Sequence, residues 1–320
     1  MTATLPPAAG GRTSATGSSV RRLVLTDPVD LRRTLGALRH GAGDPTITRH
    51  GDGSLWRGVR TPIGPATVRI VSSAGDAAVT AQAWGDGAAW CLETLPDLLG
   101  ARDNRVGFVP GIDLLDRLHK TFTGWRLTCT GLVFESLVPA IFEQKVTGSE
   151  AFASYRRLLR QVGEPAPGPG SDLGLVVPPE PRAWVDVPVW DFHLAGLGPE
   201  RRDALLTAAR VAPLLERAGA AGPAELDVAL RALRGIGVWT SAEVRQRALA
   251  DADAVSIGDA HIPHMVGFAL TGRRTDDEGM LRLLARWRGH RYRVTQLLAM
   301  AGISAPRFGP RYAPIDHRAH

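Results

Sequence analysis

Residues 233–240 read LRGIGVWT and lie between two stretches that each have the apolar spacing of an amphipathic helix. Pro223 opens the first stretch, since proline is favoured in the first turn of a helix. Gly235 and Gly237, one residue apart, suit a tight bend, because glycine reaches backbone angles that other residues avoid. The pattern predicts a helix–hairpin–helix whose second helix starts at about Thr240.

The amides of this bend have a second property. The N–H groups of Gly235, Gly237 and the first turn of the next helix would point outward, with the positive end of the helix dipole behind them. Such a turn predicts a binding site for a backbone phosphate, with Ile236 packed between the two helices. An ordinary corner between helices, in which glycine serves the geometry alone, explains the same residues, and both interpretations stay open here.

The composition is that of a globular protein with a polyanionic partner. The 320 residues are 44% hydrophobic and 22% charged, with a net charge of +6, and the pI is about 10.1. Cys91 and Cys129 are the only cysteines, too few for a disulfide scaffold or a four-cysteine cluster, so we expect a cytoplasmic protein. Because no apolar run reaches the length that crosses a bilayer, we expect no membrane partner.

Four short runs of strand-like composition predict a β-rich domain over residues 23–105: TITRH, SLWRGVR, ATVRIVSS and AVTAQAW. Helical periodicity dominates residues 106–304, interrupted by a Pro/Gly-rich link at 163–181. Residues 1–22 predict a disordered leader, and residues 305–320 a basic C-terminal tail. The expected fold class is α+β, with a small β-rich N-terminal domain followed by a mainly α-helical core.

Asp259 lies 22 residues after Gly237, in the segment VSIGDAHIPH. Pro263 lacks an amide hydrogen and limits how early a regular helix can begin, so Asp259 is predicted to lie at or just before a helix N-terminus. The helix dipole favours a carboxylate there. The carboxylate could stabilise a cation during a reaction, or it could simply cap the helix, and spacing alone favours the cap.

Two histidines follow Asp259 closely in the sequence and raise the question of a metal site. On a helix, Asp259 and His261 would point roughly 200° apart, so His261 and His264 cannot join the aspartate from one regular face. We expect no metal.

Two segments together resemble the helix–hairpin–helix DNA glycosylases: LRGIGVWTSAEV at the hairpin and DAVSIGDAHI around the aspartate. They are most similar to the bacterial 3-methyladenine DNA glycosylase II branch of that family. Weaker similarity extends over the β-rich start, FESLVPAIFEQKVTGSEA (134–151) and LLARWRGHRYRVTQLL (283–298). The resemblance implies a helical glycosylase core, no cofactor, and a monomeric protein whose partner is duplex DNA containing damaged bases.

The resemblance also assigns roles to individual residues. It places Asp259 at the catalytic aspartate, and Trp239 and Glu243 beside the base pocket. It implies DNA contacts for residues of the hairpin and of an earlier loop: Gly235, Ile236, Gly237, Thr240, Gln144 and Lys145.

At three positions the residue of this chain differs from one that members of the family have there. Lys145 stands where close relatives place an apolar residue that fills the gap left by a flipped base, so we expect a different wedge, or a lysine stem in that role. Glu243 replaces an expected aromatic pocket residue, and it either changes base preference or faces solvent. Trp239 occupies the place of the Schiff-base lysine of bifunctional members, and Lys120 and Lys145 are the only lysines of the chain.

The expected function is a monofunctional DNA glycosylase that flips and excises alkylated purines of the 3-methyladenine or 7-methylguanine type, located in the cytoplasm on the nucleoid. Two alternatives stay open. A non-enzymatic helix–hairpin–helix DNA-binding protein would keep the hairpin and use Asp259 only as a cap. A bifunctional glycosylase/lyase would use Lys145 or Lys120 as its amine.

Binding to duplex DNA should depend steeply on salt and little on base sequence, because the chain is basic and the hairpin is suited to backbone phosphate. A titration between about 50 and 200 mM salt should show the logarithm of the association constant falling linearly with the logarithm of the salt concentration. A flat salt response would contradict a DNA-binding function.

Overall fold

A five-stranded antiparallel sheet forms the N-terminal part of the computed structural model, which describes residues 17–72 and 77–306. The strand order is β1-β5-β4-β3-β2, with β1 at Ser18–Val24, β2 at Ile47–Arg49, β3 at Leu55–Arg60, β4 at Pro65–Ser72 and β5 at Ala78–Trp84. The four strand-like runs of the sequence correspond to β2, β3, β4 and β5, so this part of the prediction is confirmed.

The first strand was not predicted, because residues 18–22 were assigned to the disordered leader. β1 pairs with β5 along its whole length, from Ser18 opposite Trp84 to Val24 opposite Ala78. Its sequence, SSVRRLV, has little regular alternation of apolar and polar residues, so only the partner strand defines it. The leader prediction is wrong for these residues; residues 1–16, and 307–320 of the predicted tail, lie outside the described chain.

Three short helices pack with this sheet: α1 (Leu31–Thr34), α2 (Ala88–Glu93) and α3 (Leu95–Leu98). They bury the apolar side chains of the sheet in a separate core, in which Leu35, Ile70 and Leu95 are at most 1% exposed. The N-terminal part therefore has a core of its own.

Helices form most of the remaining chain. They are α4 (Asp113–Thr121), α5 (Val133–Phe142), α6 (Gly148–Val162), α7 (Pro169–Asp172), α8 (Pro181–Val185), α9 (Val189–Ala195), α10 (Pro199–Arg210), α11 (Ala212–Ala221), α12 (Pro223–Arg231), α13 (Val238–Ala248), α14 (Ile262–Thr271), α15 (Asp277–Leu284) and α16 (Arg291–Met300). Two very short strands, β6 (Glu164–Pro165) and β7 (Val176–Val177), lie on either side of α7.

The centre of the helical part is α5. All of its residues except Glu135 are buried, and a helix that is apolar on nearly every side belongs in a core. Helices α6, α10, α11 and α13 pack around it. The predicted α+β class, with a sheet followed by a helical core, is confirmed.

The Pro/Gly-rich segment 163–181, predicted as a link between helices, is folded against the sheet. β6 and β7 pair with each other, and the Val176 amide donates to the Pro45 carbonyl at 2.8 Å. The Thr67 hydroxyl of β4 donates to the Pro167 carbonyl at 2.6 Å. Because Leu175 and Val177 are buried in this contact, the segment joins the two parts of the protein.

The C-terminal helices enclose a further core, which contains a buried ion pair between Asp103 and Arg293. The two side chains are only 1% and 2% exposed. Burial alone would raise the pKa of Asp103, but hydrogen bonds from Arg293 and the Leu127 amide, together with the charge of Arg105, hold that pKa below its ordinary value. The last helix is thereby attached to the chain that follows α3.

None of the helices in the described residues is both long and apolar enough to span a lipid bilayer.

The Asp103→Asn variant should lose about 3–5 kcal/mol of the free energy of unfolding at neutral pH, since Arg293 would keep a buried charge without its partner. A carboxylate whose pKa is lowered by folding stabilises the protein above its unfolded pKa, and this contribution is lost as the pH falls through the folded pKa. The difference from the wild type should therefore shrink as the pH drops below 3.8, the ordinary pKa of aspartate.

Urea denaturation at a series of pH values measures this difference. Glu278→Gln is the control, because it breaks the exposed pair of Glu278 and Arg282 and should change stability little. An Asp103→Asn effect that stayed constant down to strongly acidic pH would show that the carboxylate does not act through its charge.

Candidate functional site

The turn between α12 and α13 forms the predicted helix–hairpin–helix. The Ile236 amide donates to the Leu233 carbonyl at 3.1 Å inside the turn. Gly235 has a φ of +86°, and a Cβ at this position would lie 3.0 Å from the Cβ of Ala204 in α10. Glycine is therefore required at 235, both for its left-handed backbone and for the close contact with α10.

Gly237 differs from Gly235, because nothing in the protein requires glycine there. Its φ is −97°, and a Cβ would meet no atom within 4 Å. The amides of Gly237 and Val238 donate to no acceptor among the described residues, and both residues are exposed. They lie at the positive end of α13, so the turn offers donors to an anion. That this anion is a DNA phosphate stays a prediction.

Gln144 connects the loop between α5 and α6 to the hairpin. Its side-chain amide donates to the Gly235 carbonyl and to the Thr240 hydroxyl, both at 2.9 Å. Ile236 is buried and packs between the helices, as predicted, and Thr240 is buried too. The side chains of Ile236 and Thr240 therefore hold the hairpin together, and a DNA contact of these two residues stays a prediction.

Lys145 lies next to Gln144 and is open to solvent. Its φ of +54° is left-handed, which costs a non-glycine residue on the order of 1 kcal/mol. The side chain is 88% exposed, with Nζ 3.9 Å from Glu200 of α10. Strained backbone is concentrated at functional sites, which agrees with a DNA contact here, although that contact stays a prediction.

The same loop is attached to the N-terminal part through His40. The Nδ1 atom of His40 lies 3.0 Å from Oε1 of Glu143, and the His40 ring packs edge-on against Tyr155. Burial alone would raise the pKa of Glu143, but the hydrogen bond to His40 and the charge of Arg247 lower it. This pair could not be predicted from the sequence, since the two residues are 103 positions apart and no local pattern connects them.

Asp259 lies three residues before the first residue of α14, Ile262, so it is just before a helix N-terminus, as predicted. Its Oδ1 accepts hydrogen bonds from the amides of His261, at 2.7 Å, and Ile262, at 2.9 Å. Its Oδ2 accepts from the indole Nε1 of Trp239, at 3.2 Å. The half-buried carboxylate is thus held in one orientation by two helix amides and one side chain, and it can stabilise a positive charge that develops beside it.

The two histidines near Asp259 do not converge with it. His261 is exposed, whereas Nδ1 of the half-buried His264 lies 2.7 Å from the Thr275 carbonyl. Within the described parts of the chain, no group of three histidine, cysteine or acidic side chains could hold a metal ion.

Glu243 contradicts one of the two expectations for this position, and its effect on base preference stays a prediction. It does not face solvent, since it is 8% exposed. One carboxylate oxygen accepts from Arg247 at 2.7 Å, and the other accepts from the Ser256 hydroxyl. Because both oxygens are used inside the protein, the structure gives no support to direct contact between Glu243 and a bound base.

Three residues around the Glu243 carboxylate were not predicted from the sequence: Gln246, Arg247 and Ser256. Gln246 donates to the Ala254 carbonyl at 2.8 Å and to the Ser256 hydroxyl at 2.9 Å. Arg247 donates through Nε to the Ala37 carbonyl of the N-terminal part at 2.9 Å. Burial would lower the pKa of Arg247, but the charge of Glu243 raises it above its ordinary value. Only the four-residue spacing of Glu243 and Arg247 on a helix could have indicated this ion pair.

An open cavity of about 250 Å³ begins beside His261, between the first turn of α14 and the C-terminal half of α16. Its walls include Met265, Thr295, Gln296 and Ala299. Trp239 and Glu243 are not among its lining residues, so this cavity does not coincide with the predicted base pocket.

No family model and no curated protein matches the sequence, but solved structures match its fold. The 3-methyladenine DNA-glycosylase from Archaeoglobus fulgidus has a TM-score of 0.70 at 18% identity, covering 87% of this chain and 97% of that one. The apo 8-oxoguanine glycosylase/lyase of Clostridium acetobutylicum has a TM-score of 0.65 at 11% identity, covering 92% and 98%. The 3-methyladenine DNA glycosylase of Schizosaccharomyces pombe, bound to abasic DNA, has a TM-score of 0.50 at 19% identity, covering 59% and 91%. The chain therefore has the fold of the helix–hairpin–helix DNA glycosylases.

The two glycines of the hairpin should respond differently to substitution. Gly237→Val should fold normally, since a side chain has free space there, yet it should weaken binding to duplex DNA by covering the exposed amides. Gly235→Ala should instead lose on the order of 1 kcal/mol or more of unfolding free energy, because alanine disfavours the left-handed backbone.

Thermal denaturation and DNA titration of both variants measure these effects. Gly51→Val is the matched control for Gly237→Val, because Gly51 also has open space around it but lies in the turn before β3, far along the chain from the hairpin. Unchanged DNA affinity in a folded Gly237→Val protein would show that the hairpin does not bind phosphate and is an ordinary corner between helices.

Proposed function

We propose that the protein is a monofunctional DNA glycosylase that flips alkylated purines, of the 3-methyladenine or 7-methylguanine type, out of duplex DNA and hydrolyses their N-glycosidic bond in base excision repair. The observation that carries the proposal is the carboxylate of Asp259, held between the first amides of α14 and the Trp239 indole. Trp239 belongs to the first turn of α13, directly after the exposed amides of the hairpin.

The arrangement suits the chemistry of base excision. A base inside a duplex must be swung out before its glycosidic bond can be reached, and the hairpin would hold the backbone while this happens. Breaking the bond leaves a sugar with oxocarbenium character. A fixed carboxylate opposite that sugar stabilises the positive charge or orients the attacking water. Asp259 needs no metal or cofactor for either role.

The choice of alkylated purines rests on Trp239. Purines alkylated at N3 or N7 already carry a positive charge, so they leave without being protonated by an acid. The face of an indole ring attracts such a cation. Two of the structures with this fold, from Archaeoglobus fulgidus and Schizosaccharomyces pombe, are described as 3-methyladenine DNA glycosylases. The third is described as an 8-oxoguanine glycosylase/lyase, so the fold alone does not select the base.

The proposal excludes strand cleavage for lack of a suitably placed amine. β-Elimination requires an imine between a lysine and the abasic sugar. The family resemblance assigns Trp239 to the position of the Schiff-base lysine, Trp239 contacts Asp259, and the hairpin contains no lysine. The exposed Lys145 lies beside Glu200, and Lys120 lies in α4.

We further propose that the protein acts as a monomer on damaged duplex DNA, in the cytoplasm and on the nucleoid. Support comes from the net charge of +6 and from two cysteines that are free and buried.

Asp259→Asn should keep DNA affinity while losing about a hundredfold or more in excision rate, the scale for removing one fixed electrostatic stabiliser. Asparagine retains an oxygen that can cap α14, so folding should survive. Single-turnover release of 7-methylguanine from a duplex measures the rate. Wild-type protein should leave the strand intact until alkali is added.

Asp276→Asn is the control, because Asp276 is the N-cap residue of α15 and its side chain also accepts from an amide at a helix start, that of Gly279, so it should tolerate the change. Equal excision by wild type and Asp259→Asn would leave Asp259 as a cap only. No excision at all by the wild type, with DNA binding retained, would favour the non-enzymatic DNA-binding protein. Strand cleavage without alkali would refute the monofunctional assignment and direct attention to Lys145.

A further inference from the structure

One face of α13 contacts the segment 254–259, which leads to Asp259. Trp239, Glu243 and Gln246 are spaced four and three residues apart, so they lie on the same side of the helix. Gln246 binds the Ala254 carbonyl and the Ser256 hydroxyl, Glu243 binds the same hydroxyl, and Trp239 binds Asp259 itself. The helix therefore contacts the segment at its beginning, middle and end.

The segment has little regular structure of its own. Gly258 has a φ of +89°, and its amide donates to the carboxylate of Asp277. Within the segment, the Asp259 amide donates to the Ser256 carbonyl at 3.3 Å, a long hydrogen bond. Ser256 is thus bound to Asp259 through its backbone and to α13 through its side chain, and it is only 1% exposed.

We propose that Glu243 is a positioning residue that sets the place of the Asp259 carboxylate through the Ser256 hydroxyl. This inference rests on the proposed function, because it concerns the residue that would stabilise the sugar cation. It gives a role to an acidic side chain at a position where the sequence had suggested either an effect on base preference or exposure to solvent.

The direction of the hydrogen bonds follows from the chemistry of the groups. The ionised carboxylate of Glu243 can only accept, so Ser256 must donate its proton to Glu243. The Ser256 oxygen is then free to accept from the amide of Gln246, which can only donate through its nitrogen. Each group has one possible role, so the Ser256 side chain is held in a single orientation.

Glu243 is itself held on its other side. Its second oxygen accepts from Arg247, whose Nε donates to the Ala37 carbonyl of the N-terminal part. Hydrogen bonds to an ionised group are stronger than those between neutral groups, and more so where water is excluded. A chain of hydrogen bonds through Ser256, Glu243 and Arg247 therefore connects Asp259 to the N-terminal part of the protein.

The test uses Ser256→Ala, which removes the link and leaves the pair of Glu243 and Arg247 intact. Ser241→Ala is the matched control. Ser241 is also buried on α13, and its hydroxyl donates to the carboxylate of Asp227, which lies 3.6 Å from Arg245. Each variant thus deletes a buried hydroxyl that donates to a carboxylate, from Ser256 to Glu243 of α13 and from Ser241 of α13 to Asp227. Only Ser256, which also accepts from Gln246, leads to Asp259.

The first readout is the indole N–H resonance of Trp239 in nitrogen-15-labelled protein, assigned by its loss in Trp239→Phe. This proton lies in the hydrogen bond to Asp259, so it reports the position of the carboxylate without any assay of activity. The resonance should move in Ser256→Ala and stay in place in Ser241→Ala. An unmoved resonance in Ser256→Ala would overturn the proposal.

The second readout separates the reaction rate from binding. Ser256→Ala should slow single-turnover excision of 7-methylguanine roughly ten- to a hundredfold, a scale typical of a displaced catalytic group. Its affinity for a duplex with a tetrahydrofuran abasic site should stay within about twofold of wild type, since no DNA-contacting group changes. An equal loss in both serine variants would overturn the positioning role. If the resonance moves in Ser256→Ala but the wild-type protein excises no base, the proposed function would be overturned and the positioning of Asp259 by Glu243 would stand.

Discussion

The absence of a side chain at Gly235 allows the hairpin to lie close to Ala204 of α10, and the candidate site is built on this close packing. A left-handed residue at 235 turns the chain abruptly, so α13 begins with exposed amides and enters the protein core from Thr240 onward. Helix α13 then carries two of the groups near Asp259, the indole of Trp239 in its first turn and the Glu243 carboxylate one turn later. A change in the turn would displace these groups together, because one rigid helix holds them both.

The segment between α1 and β2 of the N-terminal part contacts this helix and the loop beside it. Arg247 of α13 reaches the Ala37 carbonyl, and the Thr130 amide donates to the Arg247 carbonyl from the segment before α5. His40 holds the loop of Gln144 in a similar way. These polar groups are largely buried, and separating the two parts would leave each without its partner. The β-rich part and the helical part therefore behave as one frame around the site.

Local patterns allowed some of this to be predicted. The hairpin and the position of Asp259 follow from glycine and proline chemistry within a few residues. Strand β1 could not be found in this way, because its polar sequence becomes a strand only beside β5. Gly235 and Gly237 look alike in sequence, and only the packing of α10 distinguishes the one that needs its backbone angle. The role of Glu243 was missed for the same reason, since Ser256 reaches it from another segment.

The carboxylate of Asp259 accepts hydrogen bonds from the amides at the start of α14, and it would also stabilise the sugar cation of the proposed reaction. These two roles limit which residues can replace it. A descendant that abandoned catalysis would still need an acceptor for the amides of His261 and Ile262. Asparagine, serine and threonine can accept from backbone amides two and three residues ahead, whereas alanine or leucine would leave these two amides without that acceptor. A lineage of inactive relatives would therefore be recognised by a neutral capping residue at this one position, with the surrounding fold preserved.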